Sequence, residues 1–229
     1  MATAIRQMRA GGEAGARAQA SPERVLGIDP AAAGATGYAI LETDGRTCRV
    51  LRYGAVRPPR GATGAGRLES VHRLVAGLVK EFSPGTVAVE TPFAALNVKS
   101  ALLLAEVRGV VLLAAEQGRV PVESYSPREI KASVAGYGQA SKEQVQVMVR
   151  SQLQLSELPQ PFDAADALAV ALCHIHSRRA QTRMAAAMGT ESAGSRLPAQ
   201  ASSGNGACLG RQARRASGRI ASSPATRGR

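Results

Sequence analysis

Four acidic residues occupy positions where a protein seldom needs a carboxylate in order to fold. Asp29 and Glu90 each end a short apolar run, and a proline follows within two residues of both. Asp163 and Asp166 are three residues apart, so one helix would present both on the same side. Carboxylates brought together repel one another unless a cation neutralises them, and oxygen ligands suit Mg²⁺ or Mn²⁺ better than zinc. The sequence therefore predicts a divalent-metal site of the kind that catalyses phosphoryl displacement in nucleases and polymerases.

Asp163 also has a simpler interpretation. An acidic residue near the first turn of a helix caps the free amide groups and complements the helix dipole. That explanation is weaker for Asp166, which lies among alanines and a leucine. It is weaker still for Asp29 and Glu90, because strand ends do not require acids. Both interpretations of Asp163 remain open at this point.

Five strands are predicted, and the first of them positions Asp29. Val25–Asp29 is an apolar run typical of a strand buried on both faces, and Pro30 ends it because proline cannot donate to a strand ladder. Ligands of α/β folds bind at the carboxyl ends of such strands. Thr86–Glu90 repeats the pattern. The remaining predicted strands are Thr36–Leu41 and Cys48–Val56, joined by an Asp44-Gly45 turn, and Val120–Tyr125.

Helical spacing and capping signals predict five helices. The helix Ser100–Glu116 is apolar around nearly its whole circumference, so we expect it to be buried on more than one side, with a subunit interface as the second partner. A capping box from Ser141 to Gln144 opens another helix. The remaining predicted helices are Arg67–Phe82, Pro127–Val134 and Asp163–Ser177, and the helix that begins after Ser141 is predicted to end at about Leu153.

The positive charge of the chain, formally +12 over 229 residues, is concentrated at one end. Residues 178–229 contain ten arginines and one acid, Glu191, whereas residues 24–177 contain 16 basic and 14 acidic residues. A basic chain suggests an anionic partner such as nucleic acid. We therefore predict a disordered extension at 1–23, a nearly neutral catalytic domain at 24–177 and a disordered arginine-rich tail at 178–229.

Cysteine content and hydropathy favour the cytoplasm. Cys48, Cys173 and Cys208 are too few and too scattered for a disulfide framework, which fits a reducing compartment. No run of 18 apolar residues is present, so no membrane span is expected. Cys173 and His176 share a helix face, but zinc needs four ligands and no second pair exists. We expect no metal role for that pair.

Several motifs, taken together, resemble one known family. Their order and approximate spacing are similar to those of the RuvC crossover junction endodeoxyribonucleases, and the resemblance covers about Arg24 to His176. The motifs are Leu26–Pro30, Thr36–Tyr38, Val89–Phe93, Ala101–Gly109, Lys131–Gly136 and Asp163–Ala169.

The resemblance implies a fold, an activity and partners. It implies an α/β, RNase H-like fold with a mixed five-stranded sheet, whose strands one to three are antiparallel, and helices on both faces. It implies a homodimer that makes paired symmetric nicks in a four-way DNA (Holliday) junction during recombination and repair. The implied cofactor is Mg²⁺, or Mn²⁺, with two ions per subunit, and the implied partner is the RuvA–RuvB branch-migration complex.

The resemblance also assigns roles to basic and aromatic residues. Lys131 and Lys142 match basic positions that face the scissile phosphates, and Phe93 matches an aromatic that stacks on an unpaired base, although Phe93 could equally belong to the core. The four acids match the metal ligands, and Asp29 would bridge both ions. The chain departs from the family pattern at Ala31, where glycine is usual, and at Leu96, where a basic residue is common.

Two other functions remain open from the sequence. The first is a junction-binding protein with weak or no cleavage, in which Ala31 and one extra residue spoil the turn after Asp29. The second is a related RNase H-like nuclease that cuts single strands. Cleavage of a junction, compared with cleavage of linear DNA, separates the three possibilities.

Overall fold

The chain folds into a five-stranded sheet with helices on both faces. The computed structural model describes residues 22–32, 34–91 and 98–194, and the side chains of these ranges up to residue 188. The strands are β1 (Glu23–Asp29), β2 (Thr36–Thr43), β3 (Cys48–Val56), β4 (Thr86–Glu90) and β5 (Val122–Tyr125). The helices are α1 (Gly64–Phe82), α2 (Val98–Gln117), α3 (Pro127–Ala135), α4 (Lys142–Gln152) and α5 (Phe162–Gly194).

The strand order is β3-β2-β1-β4-β5. Strand β2 is antiparallel to both β1 and β3, whereas β4 is parallel to β1 and β5 is parallel to β4. The predicted mixed sheet, with its first three strands antiparallel, is confirmed. Ile28 is in register with Val89, so Asp29 and Glu90 are the next residues of neighbouring parallel strands. Both carboxylates therefore lie at the same edge of the sheet.

Strand β1 is central and separates two hydrophobic cores. Val25 and Leu26 are both 0% exposed although their side chains point to opposite faces, as expected of a strand buried on both sides. One face packs on α3, α4 and α5, and the other packs on α1 and α2. The larger side chains of the first core include Leu41, Ile130, Val149 and Leu168, and those of the second include Ile28, Val75, Val87 and Val111.

Two glycines let helix α5 lie directly on the sheet. A Cβ atom at Gly37 would collide with the backbone carbonyl of Asp163, and a Cβ atom at Gly27 would collide with the carbonyl of Ala167. Any larger residue would therefore push the helix away from β1 and β2. Because the first two turns of α5 carry Asp163 and Asp166, these glycines also fix the height of both carboxylates above the sheet edge.

Helix α5 is longer than predicted. The sequence prediction ends this helix at Ser177, but the helix extends to Gly194. The expectation of disorder from Arg178 onward is therefore wrong for residues 178–194. The physical reason is composition: alanine, arginine, glutamine and methionine are strong helix formers even where the apolar periodicity has stopped. In addition, the Arg179 guanidinium donates to the hydroxyl of Thr43 at 3.2 Å, which ties the extension to β2.

Three other boundaries differ for local reasons. Glu23, placed in the N-terminal extension by the prediction, is the first residue of β1. Helix α1 begins before Arg67 because Thr63 caps it by accepting from the Gly66 amide. Strand β5 begins at Val122 because the Val120 amide donates to the Ala115 carbonyl, which belongs to the end of α2. The predicted capping box of Ser141 and Gln144 is confirmed.

Helix α2 is buried on one side only. Val107 and Val111 face the core, whereas Leu102 is 62% and Leu113 is 52% exposed. Among the described residues nothing covers the other side of this helix, and a subunit interface there remains a prediction. Among the helices described, none is long and apolar enough to cross a membrane.

Candidate active site

Carboxylates from three elements meet at one edge of the sheet. Asp29 ends β1, Glu90 ends β4 and Asp166 lies in the second turn of α5. These residues border a cavity of about 200 Å³. The other lining residues are the bases Lys131 and Lys142 and the apolar side chains of Pro127, Ile130 and Val145.

Asp29 has a strongly raised pKa. Burial raises the pKa of its carboxyl group well above the usual value, and the charges of Glu90, Asp166 and Asp163 raise it further. Lys142 acts in the opposite direction. The carboxylates therefore interact as one electrostatic unit.

Glu90 is perturbed in the same direction. Burial, followed by the charge of Asp166, raises the pKa of Glu90 to about 7, although the charges of Lys142 and Lys131 lower it. At neutral pH this carboxyl group is therefore divided between its protonated and ionised forms. A nearby cation would complete its ionisation.

Lys142 is the cation that the carboxylates hold in this structure. Its ammonium group lies 2.9 Å from the Asp166 carboxylate, and this hydrogen bond raises the pKa of Lys142. Lys142 is the first residue of α4, and the capping box of Ser141 and Gln144 fixes where that helix begins. The capping motif thus positions the lysine, and the side chain of Lys142 remains 64% exposed to solvent.

Asp163 lies near the cavity but does not line it. Its charge raises the pKa values of Asp29 and Lys142, so it belongs to the same electrostatic unit. The amides of Ala164 and Ala165 both donate to the Pro161 carbonyl. These first-turn amides are therefore satisfied by backbone, which leaves the Asp163 carboxylate available to the site and weakens the capping interpretation.

The donor set fits a hard divalent cation in its chemistry. All the acidic donors are carboxylate oxygens, which Mg²⁺ and Mn²⁺ prefer, and burial together with their mutual repulsion raises the pKa values of Asp29 and Glu90. As the side chains stand, the described residues include no group of three or more histidine, cysteine, aspartate or glutamate residues placed to hold a metal ion. Side-chain rotation would have to accompany metal binding, and the release of Asp166 from Lys142 is one such rearrangement.

The structure brings together most of the predicted site residues. Asp29, Glu90 and Asp166 line one cavity with both predicted lysines. Phe93 lies outside the described residues, as does Leu96. The apolar wall of the cavity was not predicted, because Ile130 and Val145 carry no chemical signal. Gly27 and Gly37, beneath α5, lie within two of the family motifs, but their packing role depends on a contact between distant segments.

A family model described as "Crossover junction endodeoxyribonuclease RuvC" matches residues 25–174 of the chain. The chain is 44% identical over 160 residues to the crossover junction endodeoxyribonuclease RuvC of Natranaerobius thermophilus, which covers 70% of this chain and 99% of that relative. It is 47% identical over 161 residues to the protein of the same name from Dehalococcoides mccartyi, with coverage of 70% and 95%.

A solved structure supports the same relationship. The RuvC protein of Thermus thermophilus in complex with a Holliday junction substrate superimposes with a TM-score of 0.66 at 35% sequence identity. The match covers 70% of this chain and 97% of that one. The matched part of the sequence ends near the middle of α5, so the C-terminal half of that helix lies outside the family model.

Proposed function

The chain belongs to the RuvC family of crossover junction endodeoxyribonucleases, and we propose that its carboxylate cavity is the centre at which it cuts DNA. It is a crossover junction endodeoxyribonuclease, a Holliday junction resolvase that acts in recombination and repair. The observation that carries the assignment of the centre is the convergence of three partly buried carboxylates on two lysines at the sheet edge.

Asp29, Glu90 and Asp166, with Asp163 beside them, would hold Mg²⁺ or Mn²⁺, and two ions per subunit is the proposed number. When bound, such ions activate a water molecule and stabilise the charge on the leaving oxygen. The residues of the chain contribute position: each carboxylate stands on a strand end or on a helix fixed against the sheet. The support for this proposal is the oxygen-only donor set and the raised pKa values of Asp29 and Glu90.

Lys131 and Lys142 would meet the phosphate groups of the substrate. Both line the cavity. Among the described residues Lys142 forms a salt bridge with Asp166 only, and no salt bridge includes Lys131. A lysine ammonium attracts a phosphodiester as a point charge and lowers the repulsion between DNA and the acidic centre. Phe93 would stack on an unpaired base close to this centre, as the family resemblance implies.

The exposed side of α2 would join two copies of the chain. Val98, Leu102 and Leu113 are 77%, 62% and 52% exposed, and at 3.6 residues per turn they fall within about 60° of one another. A homodimer with two active sites could nick two opposing strands symmetrically. Leu102→Glu should convert the dimer to a monomer in sedimentation velocity, and an unchanged sedimentation coefficient would refute this interface.

The proposed setting is the cytoplasm, where the enzyme would act beside the RuvA–RuvB branch-migration complex. Cys48 and Cys173 are free thiols, in keeping with a reducing compartment. Co-sedimentation of the chain with a junction already bound by RuvA and RuvB would test the partnership directly.

A synthetic four-way junction, incubated with the chain and Mg²⁺, tests the function. The expected result is a pair of symmetric, ligatable nicks, with a linear duplex and a single strand left uncut. The Asp29→Asn variant serves as the inactive control. Binding of the junction without nicks would favour a junction-binding protein instead, and equal cutting of single strands would favour a related single-strand nuclease.

A further inference from the structure

A basic pocket, separate from the carboxylate cavity, lies on the same edge of the sheet, beside the turn that follows Asp29. Its volume is about 300 Å³. It is formed by the segment between β3 and α1 together with Gly34 of the β1–β2 turn, and it contains two arginines, Arg57 and Arg67, but no acidic residue.

The charge of these two arginines is not neutralised within the described part of the chain. Four other arginines, Arg24, Arg49, Arg52 and Arg73, each pair with a glutamate. No salt bridge of the described residues includes Arg57 or Arg67.

Arg67 has a buried donor without an acceptor. One of its terminal nitrogens donates to the Ala32 carbonyl, which connects the pocket to the turn after Asp29. Its Nε atom is buried and has no hydrogen-bond partner. Helix α1, which carries Arg67, has no acidic residue in its first turn, so the positive end of its dipole is not complemented. The pocket therefore holds positive charge without an acidic partner, and one of its two arginines also has an unsatisfied donor; positive charge of this kind suits a phosphate group.

The sheet geometry gives the distance from this pocket to the catalytic edge. Asp29 is in register with Gly37, and Gly37 with Ala55, so Ala55 lies two strands from Asp29. At about 4.8 Å between strands and 3.3 Å per residue, the Cα atom of Arg57 lies roughly 12 Å from that of Asp29. One strand of DNA advances about 3.4 Å per nucleotide along the helix axis, so the pocket corresponds to about three nucleotides.

We propose that Arg57 and Arg67 bind a backbone phosphate of the cut strand about three nucleotides from the bond that faces Asp29. This inference rests on the proposed function and adds a positioning role to it: the contact fixes which phosphodiester enters the carboxylate cavity. The site would recognise phosphate and not base, so it would act equally on every sequence.

The test uses Arg57→Gln, because Arg57 is exposed and is the pocket arginine without a structural hydrogen bond to the turn. The matched control is Arg46→Gln, which makes the same charge change in the exposed hairpin at the far end of β3. Arg57→Gln should weaken junction binding about tenfold and lower the slope of log affinity against log salt by about 0.9. It should also spread the mapped nicks over neighbouring phosphodiesters, whereas Arg57→Lys should restore most of the affinity.

A chemical substitution in the DNA tests the same contact from the other side. A single neutral methylphosphonate, placed in turn two, three or four nucleotides from the nick, should weaken binding by the wild-type protein at one of these positions. The same substitution should have no further effect on Arg57→Gln, because the two changes remove one interaction.

Two results would overturn the inference while leaving the nuclease assignment intact. One is an Arg57→Gln variant with wild-type affinity, salt dependence and nick positions. The other is an equal loss in Arg46→Gln, which would mean that only net charge matters. If the wild-type protein itself made no nicks in the junction, the proposed function would fail first.

Discussion

Replacing Glu90 with glutamine should stabilise the metal-free protein at alkaline pH. The change removes a charge that burial and Asp166 disfavour, and it keeps the shape of the side chain. Folding raises the pKa of Glu90 from 4.5 to about 7. Between these values the folded state binds more protons than the unfolded state, so stability is fully present below pH 4.5 and is lost as the pH rises through 7.

The expected magnitude follows from that shift. Each unit of difference in pKa corresponds to about 1.36 kcal/mol, so ionising Glu90 in the metal-free fold destabilises it by roughly 3 kcal/mol at high pH. About 2 kcal/mol of this change falls between pH 5.5 and pH 8. For a domain of this size, that is a decrease in Tm of roughly 4–8 °C.

The assay is thermal and urea denaturation in EDTA at pH 5.5 and pH 8. The wild-type protein should lose stability between the two pH values, and Glu90→Gln should lose clearly less. Glu123→Gln is the matched control, because Glu123 is exposed. It lies on β5, in register with Ala88 of β4, which is the strand that ends in Glu90. Mg²⁺ at pH 8 should restore stability to the wild type more than to Glu90→Gln. Parallel pH dependence in the two proteins would refute the electrostatic account of the site.

Three further predictions concern the catalytic acid, the helix contact and the tail. Asp29→Asn should abolish nicking while junction binding persists or tightens, because removing a negative charge favours the binding of polyanionic DNA. Gel-shift and nicking assays on one preparation check this prediction, and retained cleavage would contradict it. Gly37→Ala should lower the free energy of unfolding by on the order of 1–3 kcal/mol and reduce nicking, whereas Gly77→Ala, which meets no atom within 4 Å, should be neutral or stabilising in urea titrations. Deletion of residues 195–229 should leave Tm unchanged and lower DNA affinity mainly at low salt. Deletion of residues 178–229 should also lower Tm, because it removes the contacts of α5 with the β2–β3 hairpin. Equal Tm values for the two deletions would contradict the structural role of the extension.

The edge that carries the acids was predictable because it depends on short-range signals. An apolar run that stops at a carboxylate and a nearby proline indicates a strand end, but the parallel pairing of β1 with β4 is known only from the structure. Asp29 and Glu90 followed from that pattern alone. Asp163 and Asp166 followed from helical spacing, although only the packing against Gly37 decides how high they stand above the sheet.

The parts that were not predictable depend on contacts between distant segments. The pairing of Lys142 with Asp166 joins two residues that are 24 positions apart and lie on different helices, and no local pattern specifies it. The extension of α5 beyond Ser177 was missed because apolar periodicity reports the part of a helix that is buried, whereas residues 181–188 of this segment are all solvent-exposed. The basic pocket of Arg57 and Arg67 arises from a loop and a helix that meet the turn after Asp29 only in the folded chain.

The pairing of Lys142 with Asp166 should also link metal binding to DNA binding. The ammonium group of Lys142 neutralises one of the mutually repelling carboxylates, that of Asp166. If Asp166 becomes a ligand of Mg²⁺, Lys142 loses that partner while remaining at the rim of the cavity. Its ammonium is then available to a phosphate at the moment when the centre is competent to cut. The metal should therefore increase junction affinity in the wild type and do so much less in Lys142→Met. Equal enhancement in both proteins would show that Lys142 does not couple metal binding to DNA binding.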